Sequence, residues 1–203
     1  MIYPGTTIVN RNFSRGSWQV TDRDPDLYLK LQEGRNKPAD DLINDIGLDR
    51  PGRAIDIGCG PENSTAPPKD RWPEAEMIGV DNSSSMICKA REACPGASFL
   101  ALDMCDDLAH LGRFDVVFAN ASLQWVLDQG RLMPRLLDMV DSKGVFAAQI
   151  PQYDQMPISG AMGEVVSSPR WSGSLGNVDP GYRFHPDSSY YGWLSDKNLH
   201  LRM

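Results

Sequence analysis

The sequence predicts an α/β domain built on a doubly wound, mainly parallel sheet. Three observations carry that reading. Short apolar runs alternate with helix-length segments between residues 54 and 150, the pattern of successive βαβ units. Two of the runs, 114–119 and 145–150, are strongly apolar, as strands buried on both faces are. The first run ends in the turn Gly58-Cys-Gly60, and open α/β sheets bind ligands at the carboxyl ends of such strands.

The elements follow in order. Residues 1–17 are polar and lack periodicity, so a flexible N-terminal arm is expected there. Residues 18–46 are read as an N-terminal helical cap. Within it Leu27, Leu31, Leu42, Ile43 and Ile46 suggest two helical pieces split near Gly34 and Pro38. Residues 47–203 make the main domain. Strands are expected at 54–57, 76–80, 98–101, 114–119 and 145–150. Helices are expected at 63–72, at 84–93 with Ser83 or Ser84 as N-cap, and at 130–140. Right-handed crossovers then align the carboxyl ends of the strands along one edge. Beyond Pro151 the pattern degrades: 152–186 is rich in Gly, Pro and Ser and reads as an irregular lid with short helices. A last helix is expected at 190–195 and a final strand at 199–203.

Bulk properties narrow the class. The chain has 203 residues, 41% hydrophobic and 23% charged, ordinary for one globular domain. No run approaches the length of a membrane span and no signal-peptide pattern opens the chain, so a cytoplasmic protein with no membrane partner is expected. A net charge of −7 disfavours nonspecific nucleic-acid binding, and no nucleic-acid partner is expected. The four cysteines form no CxxC pair, and His110, His185 and His200 are not spaced with them as zinc ligands; no metal site is expected.

Asp56, Gly58 and Gly60 form a D-x-G-x-G turn, and Asp81 closes the second strand. Glycines let a ligand approach the backbone, while a carboxylate one strand over can hold a ribose. A dinucleotide fingerprint requires a third small residue, where Asn63 stands, and pyrophosphate beside Glu62 is electrostatically poor. S-adenosylmethionine has no phosphate and carries a cationic sulfonium and ammonium, so carboxylates suit it better. Asp56 and Asp81 would then serve the methionine end and the ribose hydroxyls. Asp103, after the third strand, is placed for the adenine amine with Met104 packing on the ring; the alternative is a solvated loop aspartate.

Several motifs in order carry a resemblance: Asp26-Leu-Tyr-Leu29, the segment from Arg35 to Leu42, Asp56-Ile-Gly-Cys-Gly-Pro-Glu-Asn-Ser-Thr65 and Arg71-Trp-Pro73. They continue with Gly79-Val-Asp-Asn-Ser-Ser-Ser-Met86, Phe118-Ala-Asn-Ala-Ser-Leu-Gln-Trp125 and Gly144-Val-Phe-Ala-Ala-Gln-Ile-Pro151. Together they resemble the trans-aconitate 2-methyltransferase family, class I S-adenosylmethionine-dependent enzymes with a Rossmann-like fold. The resemblance covers residues 18–155 closely and 156–203 weakly. It implies O-methylation of a small polycarboxylate such as trans-aconitate. It also implies that Gly58, Asp81, Asn82, Asp103, Met104 and Asn120 contact the cofactor, with Arg35 and Met86 in the same matched motifs. Residues 120–125 would lie where methyl donor meets acceptor. Trp125 and Gln149 would meet the substrate, Gln149 by hydrogen-bonding a carboxylate; the alternative for Trp125 is a core aromatic under the lid. No catalytic base is expected, because a carboxylate acceptor is already deprotonated. Local cations would be Arg35, Lys37, Arg170 or Arg183.

The chain departs from that family in three places. Glu62 replaces a glycine, Pro67 and Pro68 replace leucines and should delay or break the helix, and family members run on past residue 203. A sheet truncated at its C-terminal edge is therefore expected, with an exposed strand. Two other readings stand beside the enzyme: a methyltransferase for another small acceptor, and a non-catalytic or decayed methyltransferase-like protein.

Overall fold

The computed structural model describes residues 33–61, 64–151, 156–175 and 183–195, without the side chains of 33–36. The N-terminal arm, the start of the helical cap, Glu62 and the final strand expected at 199–203 lie outside the described residues.

Strands β1 (Arg53–Ile57), β2 (Glu76–Asp81), β3 (Ser98–Ala101), β4 (Phe114–Asn120) and β5 (Val140–Gln149) form one sheet in the order β3-β2-β1-β4-β5. All of its pairings are parallel. The chain steps outward from β1 to β3 and returns to β4 on the other side of β1. The order reverses there, which opens a crevice at the carboxyl ends of β1 and β4.

Helices α1 (Glu33–Asp45), α2 (Ala66–Arg71), α3 (Ser84–Ala93) and α4 (Gln129–Asp138) flank the sheet. Alternation along the strands sends side chains to both faces. Ile55, Ile57, Val117 and Ala119 pack with Leu132, Met133 and Leu136 of α4. Ala54, Val116 and Phe118 pack on the opposite face with Ala39 and Ile43 of α1 and with Trp72. Each such fully buried large side chain contributes about 1.5–3 kcal/mol. The doubly wound fold is thus the one the alternation predicts.

Three boundaries differ from the sequence reading. Helix α1 runs unbroken through Gly34 and Pro38, because Ala39, Ile43 and Ile46 give it a buried stripe and Pro38 removes only one backbone donor. Helix α2 begins at Ala66, not 63, with Pro67 and Pro68 in its first turn, where helical N–H groups have no partner to lose. The expected helix at 130–140 ends at Asp138, since Val140 already pairs with Phe114 as the start of β5. The register of β4 and β5 shifts between Phe114 and Val116. Gly144 fits this irregularity, because a Cβ there would stand 2.8 Å from the Asp115 carbonyl oxygen.

The segment read as a lid holds α5 (Pro157–Ser167) and α6 (Ser172–Leu175), and α7 (Asp187–Ser195) contains the last helix expected at 190–195. Arg71, the last residue of α2, ties that helix to α1 by donating to the carbonyls of Ile43 and Ile46 at the end of α1. Among the described residues no helix is long and apolar enough to cross a membrane.

Candidate functional site

The glycine turn at the end of β1 is shaped by tertiary contact. Gly58 and Gly60 adopt φ of +76° and +59°, in the left-handed region that residues with a Cβ enter only at a cost. The N–H groups of Gly58 and Cys59 both donate to the Val80 carbonyl, at 2.8 and 3.0 Å. A Cβ on Gly58 would stand 2.4 Å from Ser122 Cβ and 3.1 Å from Met104 Cε. The Ser122 hydroxyl donates to the Ile57 carbonyl at 2.6 Å. Segments following β1, β3 and β4 therefore meet at one glycine.

Asp81 closes the turn from the neighbouring strand. One carboxylate oxygen accepts from the Gly60 N–H at 3.0 Å and the other from the Ser83 N–H at 2.9 Å. Asn82 beside it is exposed, while Met86, in the first turn of α3, is buried. Asp103 is half-buried, and its Oδ1 accepts from the Cys105 N–H at 2.8 Å.

Asp56 is wholly buried. Its Oδ2 accepts from Ser64 Oγ at 2.6 Å and from Thr65 Oγ1 at 2.7 Å. Its Oδ1 has no partner among the described residues. Burial pushes the carboxyl up to about 6, the two hydroxyls act against that rise, and the nearby Asp81 charge adds to it.

At the other side of the crevice Asn120 pairs with Gln149 in the register of β4 and β5. The Oδ1 of Asn120 and the Oε1 of Gln149 are both buried without a partner among the described residues. Ala121, at φ +50°, turns the chain out of the sheet, and its N–H donates to the Gln149 carbonyl at 2.9 Å. A 3-10 helix, Leu123–Trp125, follows. Leu123 and Val126 take the core positions while Trp125 stays 37% exposed, so the core-aromatic alternative for Trp125 does not hold.

The expected cations are scattered. Arg35 lies in the first turn of α1 and its side chain is not described. Lys37 pairs with Asp41 at 2.6 Å on the surface. Arg170 stacks on Trp171, 5.2 Å from the ring. Arg183 docks by its backbone on Gln124, at 2.8 Å. Gly58, Gly60, Asp81 and Met104 come together at the turn, and Asn120 and Gln149 form a second pair. Ser64, Thr65 and Ser122 escaped the sequence reading although the quoted motifs contain them. Ser122 reaches across the fold to Ile57, whereas Ser64 and Thr65 bond Asp56 within one motif, a link that residue type alone does not mark.

Residues 54–144 match the family described as Methyltransferase domain. The chain is 37% identical over 160 residues to a trans-aconitate 2-methyltransferase of Variovorax paradoxus, covering 79% of this chain and 62% of that protein. It is 41% identical over 156 residues to one of Rhodopseudomonas palustris, covering 77% and 60%. Among solved structures, an O-methyltransferase family protein from Burkholderia thailandensis superposes with a TM-score of 0.64 at 18% identity, covering 87% and 54% of the two chains. The plantazolicin methyltransferase BpumL, in complex with SAH, does so at 0.56 and 17%, covering 85% and 63%.

Fold and site define a Rossmann-like class I methyltransferase domain. Within that class the chain is similar in sequence to trans-aconitate 2-methyltransferases over more than three quarters of its own length. It spans about three fifths of the length of the two relatives named, 62% and 60%.

Proposed function

We propose that this chain binds S-adenosylmethionine in the crevice at the carboxyl ends of β1 and β4 and methylates a carboxylate of a small polycarboxylic acid such as trans-aconitate. The observation that carries the reading is the make-up of the crevice. A glycine turn pinned by Asp81 faces a strand end where Asn120 and Gln149 keep buried amide oxygens without partners among the described residues. Buried acceptors without donors cost free energy unless a ligand supplies them. The methionine ammonium is a donor of the right sign, and the carboxylates of Asp56 and Asp81 favour a cation over a pyrophosphate.

In this reading Gly58 and Gly60 offer backbone to the methionine end, and Asp81 takes the ribose hydroxyls with lone pairs not used on Gly60 and Ser83. Asp103 and Met104 hold the adenine, with Asn82, Met86 and Arg35 around them. Asn120 lies between donor and acceptor, while Gln149 and Trp125 meet the acceptor. The bound cofactor supplies an electrophilic methyl group on sulfur. The chain needs no general base, because the acceptor carboxylate is ionised at neutral pH. Its task is to align the acceptor oxygen with the S–CH3 bond and exclude water, since opposite charges are consumed in the transfer. Such positioning supplies about 7–11 kcal/mol, more than proton transfer adds.

The test is transfer of a labelled methyl group from S-adenosylmethionine to trans-aconitate, followed by mass spectrometry of the ester. Ester formation that ceases without the chain supports the reading. Cofactor binding without ester would move the acceptor elsewhere, and neither binding nor ester would remove the enzymatic reading.

A further inference from the structure

Gln129 is the first residue of α4 and is fully buried, an unusual place for an amide. Both ends of that amide are used, and both reach the C-terminal segment. Its Nε2 donates to the Arg183 carbonyl at 2.9 Å, and its Oε1 accepts from the Tyr190 hydroxyl of α7 at 2.6 Å. The Arg183 N–H donates in turn to the Gln124 carbonyl at 2.8 Å. Gln124 belongs to the turn after β4, where its Nε2 donates to the Ala121 carbonyl at 2.8 Å. The Ala121 N–H donates to the Gln149 carbonyl. Hydrogen bonds thus run from α7 through Gln129 and Arg183 to the carboxyl ends of β4 and β5.

The far end of this path is also packed. His185, Tyr190 and Trp193 meet edge to face, with ring centroids 5.2–6.2 Å apart. Trp193 lies against Gly130, where an added Cβ would meet its ring at 3.4 Å. The segment from Arg183 to Ser195 is therefore a strap, fastened to the start of α4 and to the turn that follows β4.

We infer that Gln129 is a positioning residue for the methyl acceptor: it fastens the strap to the turn at residues 120–125 and so sets the acceptor side of the site without touching the reacting atoms. The inference rests on the proposed function for its kinetic meaning and on the hydrogen-bond path for its structural one. In the proposed function, donor binding falls mainly to the glycine turn, Asp81, Asp103 and Met104, outside the turn at 121–125, with Asn120 the one residue shared by both sides. Loosening the strap should therefore act on the acceptor and spare the donor.

The experiment compares the parent chain with Tyr190→Phe, which removes one hydroxyl and keeps the ring, and with Gln129→Glu, which keeps the shape but cannot donate to the Arg183 carbonyl at neutral pH. Three readouts are taken: affinity for S-adenosylhomocysteine, KM and kcat for trans-aconitate, and amide exchange of residues 121–125. The expected result is donor affinity within about twofold of the parent, an acceptor KM raised about tenfold, and faster exchange at the turn in both variants. Equal weakening of donor and acceptor, or unchanged KM with unchanged exchange, overturns the inference. If the parent neither binds the donor nor turns over, the proposed function fails. Exchange alone then decides: faster exchange at 121–125 upholds the coupling, and unchanged exchange overturns it.

Discussion

Asn120 and Gln149 stand opposite each other at the carboxyl ends of β4 and β5, and each keeps a buried amide oxygen without a partner among the described residues. An unsatisfied acceptor lowers stability in the free protein and becomes useful once a donor arrives. Gln149→Leu removes one of the two. Its thermal midpoint without ligand should equal or exceed that of the parent, while loss of the Nε2 donor to an acceptor carboxylate raises its KM for trans-aconitate about tenfold or more, equivalent to ~1.4 kcal/mol. A variant that melts much earlier with unaltered KM would make Gln149 a structural residue.

Gly58 has no room for a side chain. Gly58→Ala places a Cβ 2.4 Å from Ser122 Cβ on backbone at φ +76°. Urea denaturation should show a loss of about 2–4 kcal/mol, combining strain and overpacking. Pairing it with Ser122→Gly should recover part of that loss, because the opposing Cβ is then gone; a purely additive double variant would mean the two residues do not meet.

Buried Asp56 should make stability depend on pH. Its carboxyl rises from 3.8 to about 6 in the folded chain, so between those values the folded state holds more protons than the unfolded one. The stabilising effect of its proton is complete below about 3.8 and is lost as pH rises through about 6. The shift corresponds to roughly 3 kcal/mol. Relative to the parent, Asp56→Asn should gain stability progressively as pH rises from about 3.8 through about 6 and then level off, read from denaturation midpoints. A difference that stays flat over that range would show that the carboxyl titrates normally.

Arg71 provides a contrast away from the crevice. Arg71→Met keeps the aliphatic stem but strips the donors from the Ile43 and Ile46 carbonyls at the end of α1. Stability should fall by about 1–3 kcal/mol, with affinity for S-adenosylhomocysteine unchanged at temperatures where the variant is folded.

These residues also show what could be read from the sequence. Strands β1 to β4 were legible within a residue because two-sided burial demands apolar runs, and the turn at Gly58 because a positive φ favours glycine. The continuity of α1 was not, since the burial of Ala39 and Ile43 that outweighs Pro38 arises only from docking on the sheet. The beginning of β5 at Val140 was hidden for a similar reason: its partner, Phe114, is remote in sequence. In the site, the glycines and carboxylates carried a signal of residue type and spacing. Ser64, Thr65, Ser122 and Gln129 were not singled out, because the groups their side chains bond to are set by the fold.

The central claim is that the crevice between β1 and β4 accepts an adenosyl amino acid at the turn pinned by Asp81. Isothermal titration calorimetry of the intact chain with S-adenosylhomocysteine tests it most directly. The account predicts one site per chain with a dissociation constant in the micromolar range. A titration without binding heat, on protein shown to be folded at the same temperature and at two temperatures apart, would contradict it.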